Sequence, residues 1–272
     1  MKCDVVVVGA GPGGSMAARA AASAGLKVVL LEKRQEIGDP VRCAEGVSKR
    51  SLHRLVSPEP EWIASDVKGA RIYAPDGKSI VMSEDKSGGE VGYVLERKVF
   101  DRGLAMLAAQ AGAKVMVKTR ALGLLRKDGA VSGVSALHIG EPIVIEAPLV
   151  IGADGVESKV GRWAGIDTTL KLADIESCAQ FLVQDASIDS EYTEFYLGNS
   201  IAPSGYAWIF PKGEKLANVG LGIQGSKAGP GEAVRLLKEF MKMRFPNGRA
   251  VEMVVGGDPC SGPIDSATTD GV

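Results

Sequence analysis

Three groups of residues in this chain have types and spacings that bear chemistry. The first is Gly9-Ala10-Gly11-Pro12-Gly13-Gly14, a G-x-G-x-x-G turn between a valine run and an alanine-rich stretch. Gly9 permits a tight turn, Gly11 lets the backbone approach a diphosphate, and Gly14 lets helix and strand pack closely. The helix that starts there offers unpaired N–H groups and the positive end of its dipole to an anion. Glu32 ends the next apolar run eighteen residues after Gly14, where a carboxylate binds the hydroxyls of an adenosine ribose. Strand, turn, helix, strand and acid in this order predict a dinucleotide site.

The second group is Cys43-Ala44-Glu45-Gly46, behind Pro40-Val41-Arg42 in a stretch with little hydrophobic pattern. An isolated buried cysteine is usually a small apolar filler, whereas this one sits in a loop beside an arginine. The third group is Tyr206-Ala207-Trp208-Ile209-Phe210-Pro211, followed by Gly220-Leu221-Gly222. Tyr206, Trp208 and Phe210 alternate and so share one face of a strand, which Pro211 ends. That face is either sheet core or one wall of an apolar tunnel; Gly220 and Gly222 leave room for a close-lying ligand. Other candidates carry less. His53 and His138 have no partners at metal spacing, and Cys3, Cys43, Cys178 and Cys260 form no C-x-x-C pair. No metal site and no disulfide scaffold is expected. Ser15, Ser23 and Ser158 lack the strand-to-helix elbow of a hydrolase nucleophile.

The elements that must position these residues read as follows. Residues 4–8 and 27–31 are buried strands around a helix over 15–24, a β-α-β unit that implies a doubly wound parallel sheet. Residues 33–60 read as irregular. A hairpin is predicted at 70–73 and 79–82 across Pro75-Asp76-Gly77, and a helix over 98–110 with Val99, Phe100, Leu104 and Leu107 on its apolar side. A strand at 114–118, antiparallel strands within 121–147 and a buried strand at 149–151 follow. Alternating strands at 178–183, 193–196, 206–210 and 217–223 announce a second, antiparallel α+β domain, with a helix over 232–245. The expected division is a cofactor domain from 1–65, 90–165 and 257–272, and a substrate domain from 66–89 and 166–256.

Composition narrows the class. With 45% apolar residues and 32 Lys+Arg against 33 Asp+Glu, the chain is neither disordered nor electrostatically suited to nucleic acid. No signal peptide and no membrane-spanning run is visible, which predicts a cytoplasmic protein, or one peripheral at the inner face of the membrane. Val234, Leu237, Phe240 and Met241 share one side of the last helix, opposite basic residues, the pattern of a packed surface helix or of one lying on an anionic membrane.

Taken together, the fingerprint near Met1, Glu32 followed by Lys33-Arg34, Glu96-Arg97-Lys98-Val99-Phe100-Asp101 and Gly152-Ala153-Asp154-Gly155 resemble FAD-binding elements. They are those of the p-hydroxybenzoate hydroxylase-like flavoproteins. The Cys43 and Tyr206–Phe210 motifs look like signatures of the geranylgeranyl reductases within that group. The likeness is closest to archaeal members acting on digeranylgeranylglycerophospholipids, and it covers essentially the whole chain.

The resemblance implies an FAD-binding α/β Rossmann-like domain and a reductase that saturates isolated double bonds of isoprenoid lipids. It implies FAD contacts at Gly9, Gly11, Gly13, Gly14, Glu32, Lys33, Cys43, Ala44, Gly46, Arg97, Ala121, Asp154 and Gly155. Arg97 would reach the phosphate region, where an always-charged guanidinium suits a diphosphate. Cys43 would lie near the reacting carbon as proton donor or substrate gate. Tyr206, Trp208, Phe210, Pro211, Gly220 and Gly222 would meet a prenyl chain, whose site selects by shape. Electrons would come from an external donor, NADPH or a ferredoxin-like reductant.

Relatives in that group carry a further Gly-Asp pair after a strand, and this sequence stops at Asp270-Gly271-Val272 where that strand is expected. Gly257-Asp258 precedes Pro259 and does not suit the role, so the chain is expected to be shortened at its C-terminus. Two rival readings keep the fold: a flavin monooxygenase or halogenase, and a lipid-binding relative without turnover.

Overall fold

The computed structural model describes residues 1–86, 92–185, 187–262, 264 and 266–272. In chain order, β1 (Val5–Val8), α1 (Pro12–Ser23) and β2 (Val28–Leu31) are followed by β3 (Gly46–Ser48), α2 (Lys49–Leu55) and β4 (Ile63–Asp66). Next come β5 (Gly69–Tyr73), β6 (Ser79–Ser83), β7 (Gly92–Leu95) and α3 (Arg97–Gln110). The middle holds β8 (Lys114–Met116), β9 (Thr119–Lys127), β10 (Ala130–His138), β11 (Glu141–Glu146), β12 (Leu149–Gly152) and α4 (Lys159–Ala164). The last third is β13 (Ile175–Gln184), β14 (Tyr192–Leu197), β15 (Tyr206–Pro211), β16 (Leu216–Gln224), α5 (Glu232–Arg244) and β17 (Arg249–Pro259).

The chain forms two compact units, the first from 1–40, 98–169 and 262–272, the second from 41–97 and 170–261. In the first unit a parallel sheet runs β12-β1-β2-β8. β1 is the four-valine run and is buried throughout, as a strand with cover on both faces must be. One cover is helical: Ala18 and Ala22 of α1 and Ala105 and Ala108 of α3 pack with Val5, Val7 and Leu30. The other cover departs from the doubly wound expectation. Val131, Val134, Ala136 and Ile145 of the antiparallel sheet β11-β10-β9 bury against Val6, Val8, Val29 and Leu31. The segment 119–146 alternates at the strand period, so it covers the parallel sheet with a second sheet where a doubly wound fold has helices.

The second unit is built on a seven-stranded sheet of order β17-β13-β16-β15-β14-β5-β6, antiparallel except where β14 meets β5. Helix α5 fills one face: Leu236, Leu237, Phe240 and Met241 pack with Ala179, Phe181, Val183, Val219, Leu221 and Ile223. The apolar side of α5 is thereby used up in the core. A small sheet, β3-β7-β4, completes the unit.

Residues 249–259 form a strand, not anticipated in the sequence, that pairs with β13 along its length. One reading of the sequence, the irregular stretch after β2, is corrected. Residues 33–60 hold β3 and α2. Because β3 pairs with β7 and β7 with β4, residues 41–65 and 92–97 fall in the second compact unit. The boundary expected at 89 and 90 lies outside the described residues.

Gly9 takes φ +107, and a Cβ there would stand 2.3 Å from the Ala153 carbonyl oxygen; one on Gly14 would stand 1.8 Å from that of Gly9. A Cβ on Gly13, within α1, would meet no protein atom within 4 Å. Gly14→Ala should therefore lower stability by at least about 1–3 kcal/mol. Gly13→Ala should leave it equal, or higher by about 0.5–1 kcal/mol because alanine favours helix. Thermal unfolding of the two variants without added cofactor checks the contrast.

Candidate active site

In the first unit the glycine turn follows β1, and Glu32 and Lys33 follow β2. Pro12 occupies the first turn of α1, Gly11 is its N-cap, and no side chain caps that end. The initial N–H groups of a twelve-residue helix therefore face outward, and neither Gly11 nor Gly13 has a protein atom within 4 Å of where a Cβ would be. This cradle fits a diphosphate. Glu32 lies beside it, with Oε2 accepting from the Ala10 N–H at 3.3 Å and Oε1 from the Arg34 N–H at 2.9 Å. Both bonds fix the carboxylate at the strand end, where a ribose would meet it. Lys33 is tied to Glu157 at 3.0 Å. Asp154 uses Oδ2 to accept from the N–H groups of Lys159 (2.6 Å) and Val160 (3.1 Å), and so holds the start of α4. Gly155 turns the chain at φ +72, while Ala121 sits half-buried on β9 against the first unit's core.

The second unit assembles the other two groups. The strand registers align Gln180, Gly220 and Trp208 in one row, and Cys178, Gly222 and Tyr206 in the next. These rows lie on the sheet face opposite α5. On it Phe195 joins the three predicted aromatics, with ring centroids 5.4 Å from Phe210 and 5.7 Å from Tyr206, and Tyr206 stands 5.8 Å from Trp208. Pro211 is the last residue of β15. The two glycines serve the protein itself. A Cβ on Gly220 would stand 2.5 Å from the Trp208 indole, and one on Gly222 would stand 2.2 Å from the Glu176 carboxylate and 3.1 Å from the Cys178 sulfur. The room expected for a ligand over these glycines is filled by those side chains. That end of the face favours protonated groups: burial, and then Glu176, push the Cys178 thiol up to about 12. Burial, and then Asp258, raise Glu176 as well.

The Cys43 loop rests on this same face. Gln180 donates from Nε2 to the Cys43 carbonyl at 3.2 Å and accepts the Trp208 indole N–H at 2.9 Å. Asn218 donates to the Ala44 carbonyl at 3.2 Å. Phe210 lies where a Cβ on Gly46 would be, 2.7 Å away. The Cys43 sulfur accepts the Glu45 N–H at 3.2 Å. The cysteine motif and the aromatic motif, far apart in sequence, are thus one structure joined through Gln180.

Sequence reasoning missed the polar residues that make this junction: Glu45, Gln180, Lys212 and Asn218. Glu45 stood inside the quoted cysteine motif and Lys212 directly after Pro211, which was the available signal. Arg97, the first residue of α3, also belongs to this unit and gives its N–H to Glu45 Oε1 at 3.0 Å. Gln180→Leu leaves a buried indole N–H and a carbonyl unpaired, and should lower stability by about 1–3 kcal/mol in denaturant unfolding. An unchanged midpoint would show that the amide joins nothing.

The FAD binding domain family matches residues 2–194, and the geranylgeranyl reductase catalytic domain family matches residues 174–257. A digeranylgeranylglycerophospholipid reductase of Methanothrix thermoacetophila is 70% identical over 272 residues, all of this chain and 70% of that protein. That of Methanosarcina acetivorans is 58% identical over 271 residues, 99% of this chain and 67% of the relative. Among solved structures, a geranylgeranyl bacteriochlorophyll reductase-like protein of Thermoplasma acidophilum superposes with a TM-score of 0.95 at 46% identity. That match covers 99% of this chain and 69% of that one. A flavin-dependent brominase superposes with a TM-score of 0.81 at 17% identity, which shows a shared fold alone. On family match, identity and cofactor domain together, the chain belongs to the digeranylgeranylglycerophospholipid reductase family of FAD-dependent oxidoreductases.

Proposed function

We propose that this protein reduces the double bonds of geranylgeranyl chains in archaeal ether phospholipids. The observation that carries this reading is the catalytic-domain match over 174–257, because that segment contains the whole aromatic face and the residues that hold the Cys43 loop. A chain without hydrogen-bonding groups is best gripped by apolar surface, and Phe195, Tyr206, Trp208 and Phe210 supply it on one face. Bound FAD supplies the reducing equivalent for an isolated alkene.

The residues of this chain bind, orient and handle the proton. Gly11, Gly13 and the start of α1 hold the diphosphate and Glu32 the ribose, with Lys33, Arg97, Ala121, Asp154 and Gly155 as further contacts. Cys43, Ala44 and Gly46 would contact the flavin, and the Cys43 thiol would control proton delivery or the seating of the alkene. An external reductant, a nicotinamide dinucleotide or a ferredoxin-like protein, would supply the electrons. The protein works at the inner membrane face, where its substrate resides. None of the helices among the described residues is long and apolar enough to cross the bilayer.

Incubating the holo-protein anaerobically with a reductant and digeranylgeranylglycerophospholipid should give products heavier by two hydrogens per double bond, read by mass spectrometry. Products containing oxygen, or an unchanged lipid, would overturn the reading. Cys43→Ser should lower the rate by about tenfold or more while FAD stays bound; full turnover would remove the thiol from the chemistry. Gly13→Ala, which spares the apo fold, should weaken FAD binding by about tenfold in a fluorescence titration, and unchanged affinity would place the diphosphate elsewhere.

A further inference from the structure

The side chain of Glu45 is 5% exposed and that of Lys212 is 9% exposed. Lys212 Nζ lies 2.6 Å from Glu45 Oε2 and 3.0 Å from Glu96 Oε1. Asn218 Nδ2 donates to the same Glu45 oxygen at 2.5 Å, and the Arg97 N–H to the other at 3.0 Å. These three donors come from different segments: the residue after β15, a strand of the main sheet, and the first residue of α3. Glu45 also takes φ +76, a left-handed conformation that costs a residue bearing a Cβ about 1–2 kcal/mol. It is two residues from Cys43, and its own N–H points at the Cys43 sulfur.

A buried ion pair is weak evidence for stability, since apolar residues of the same volume often replace one without loss; its best-attested use is to select one conformation. We infer that Lys212 and Glu45 are positioning residues. Their buried ion pair, with the bonds from Asn218 and Arg97, holds Glu45 and its N–H in place and thereby sets where the Cys43 sulfur that accepts this N–H sits. Lys212 acts through Glu45 and does not itself touch the reacting atoms. The inference deepens the proposed function, because it names what places the thiol for that reaction.

The test separates the two claims by reading the thiol directly. Cys43 alkylation by iodoacetamide is followed by mass spectrometry in the holo-protein, with Cys3 in the first unit as an internal control. In Lys212→Met, and in the double variant Glu45→Gln with Lys212→Met, Cys43 should react about tenfold faster while the Cys3 rate stays unchanged. Lys212→Arg, which keeps the charge, should restore slow alkylation at least in part. Lipid reduction in Lys212→Met should lose kcat with KM little changed. An altered Cys43 rate together with full turnover would keep the pair as a positioning device and overturn the proposed role of the thiol. A Cys43 rate within twofold of the parent in the double variant would overturn the inference, and so would loss of fold in both Met variants, since the pair would then be holding up the fold rather than the loop.

Discussion

The Cys43 loop depends on one buried carboxylate. Glu45 is reached by Lys212, Asn218 and the Arg97 N–H, and its own carbonyl accepts the Leu95 N–H at 2.9 Å. These bonds tie the Cys43 loop, the β15–β16 hairpin, β7 and the start of α3 to one point. A charge taken out of water is costly unless its partners are complete, so the arrangement tolerates little movement in any of the four. Both side chains are almost fully buried, and the carboxylate lies two residues from Cys43.

The main sheet divides its labour by face. The face under α5 is ordinary core, with Val219, Leu221 and Ile223 alternating inward. The opposite face carries aromatics, glycines and polar groups, and its glycines seat the Trp208 ring and the Glu176 carboxylate against neighbouring strands. Without a Cβ at those two positions the face stays shallow enough for a loop to lie on it. Gln180, buried on this face, is hydrogen-bonded on both sides and turns two sequence motifs into one surface. In the first unit glycine does the equivalent work at a turn. Gly9 and Gly14 let Ala153, the turn and α1 stack at distances no side chain permits, whereas Gly11 and Gly13 keep the helix end clear.

Much of this was legible in the sequence because its causes are local. The four-valine run, the G-x-G-x-x-G turn and Glu32 are contiguous signals, and alternation along residues 206–210 marks a strand face whatever it packs against. What escaped is non-local. Strand β17 exists because β13 offers it a ladder, and that partner is not visible from residues 249–259 alone. The sheet β11-β10-β9 reads as antiparallel strands, but its place over the parallel sheet depends on which residues it buries. Glu45 and Lys212 are 167 residues apart, and a charged residue in a loop reads as solvated until a partner is found. The purpose of Gly220 likewise follows from the Trp208 rotamer, which one strand's sequence does not contain.

The central claim is that the aromatic face of the seven-stranded sheet, with the Cys43 loop fixed on it, is where the prenyl chain lies. Photolabelling the holo-protein with a geranylgeranyl lipid carrying a diazirine in its chain, followed by peptide mapping, reads this directly. The account predicts adducts on Phe195, Tyr206 and neighbouring residues of that face, lost on competition with unlabelled lipid. Adducts confined to α5 or to the β9–β11 sheet would contradict it.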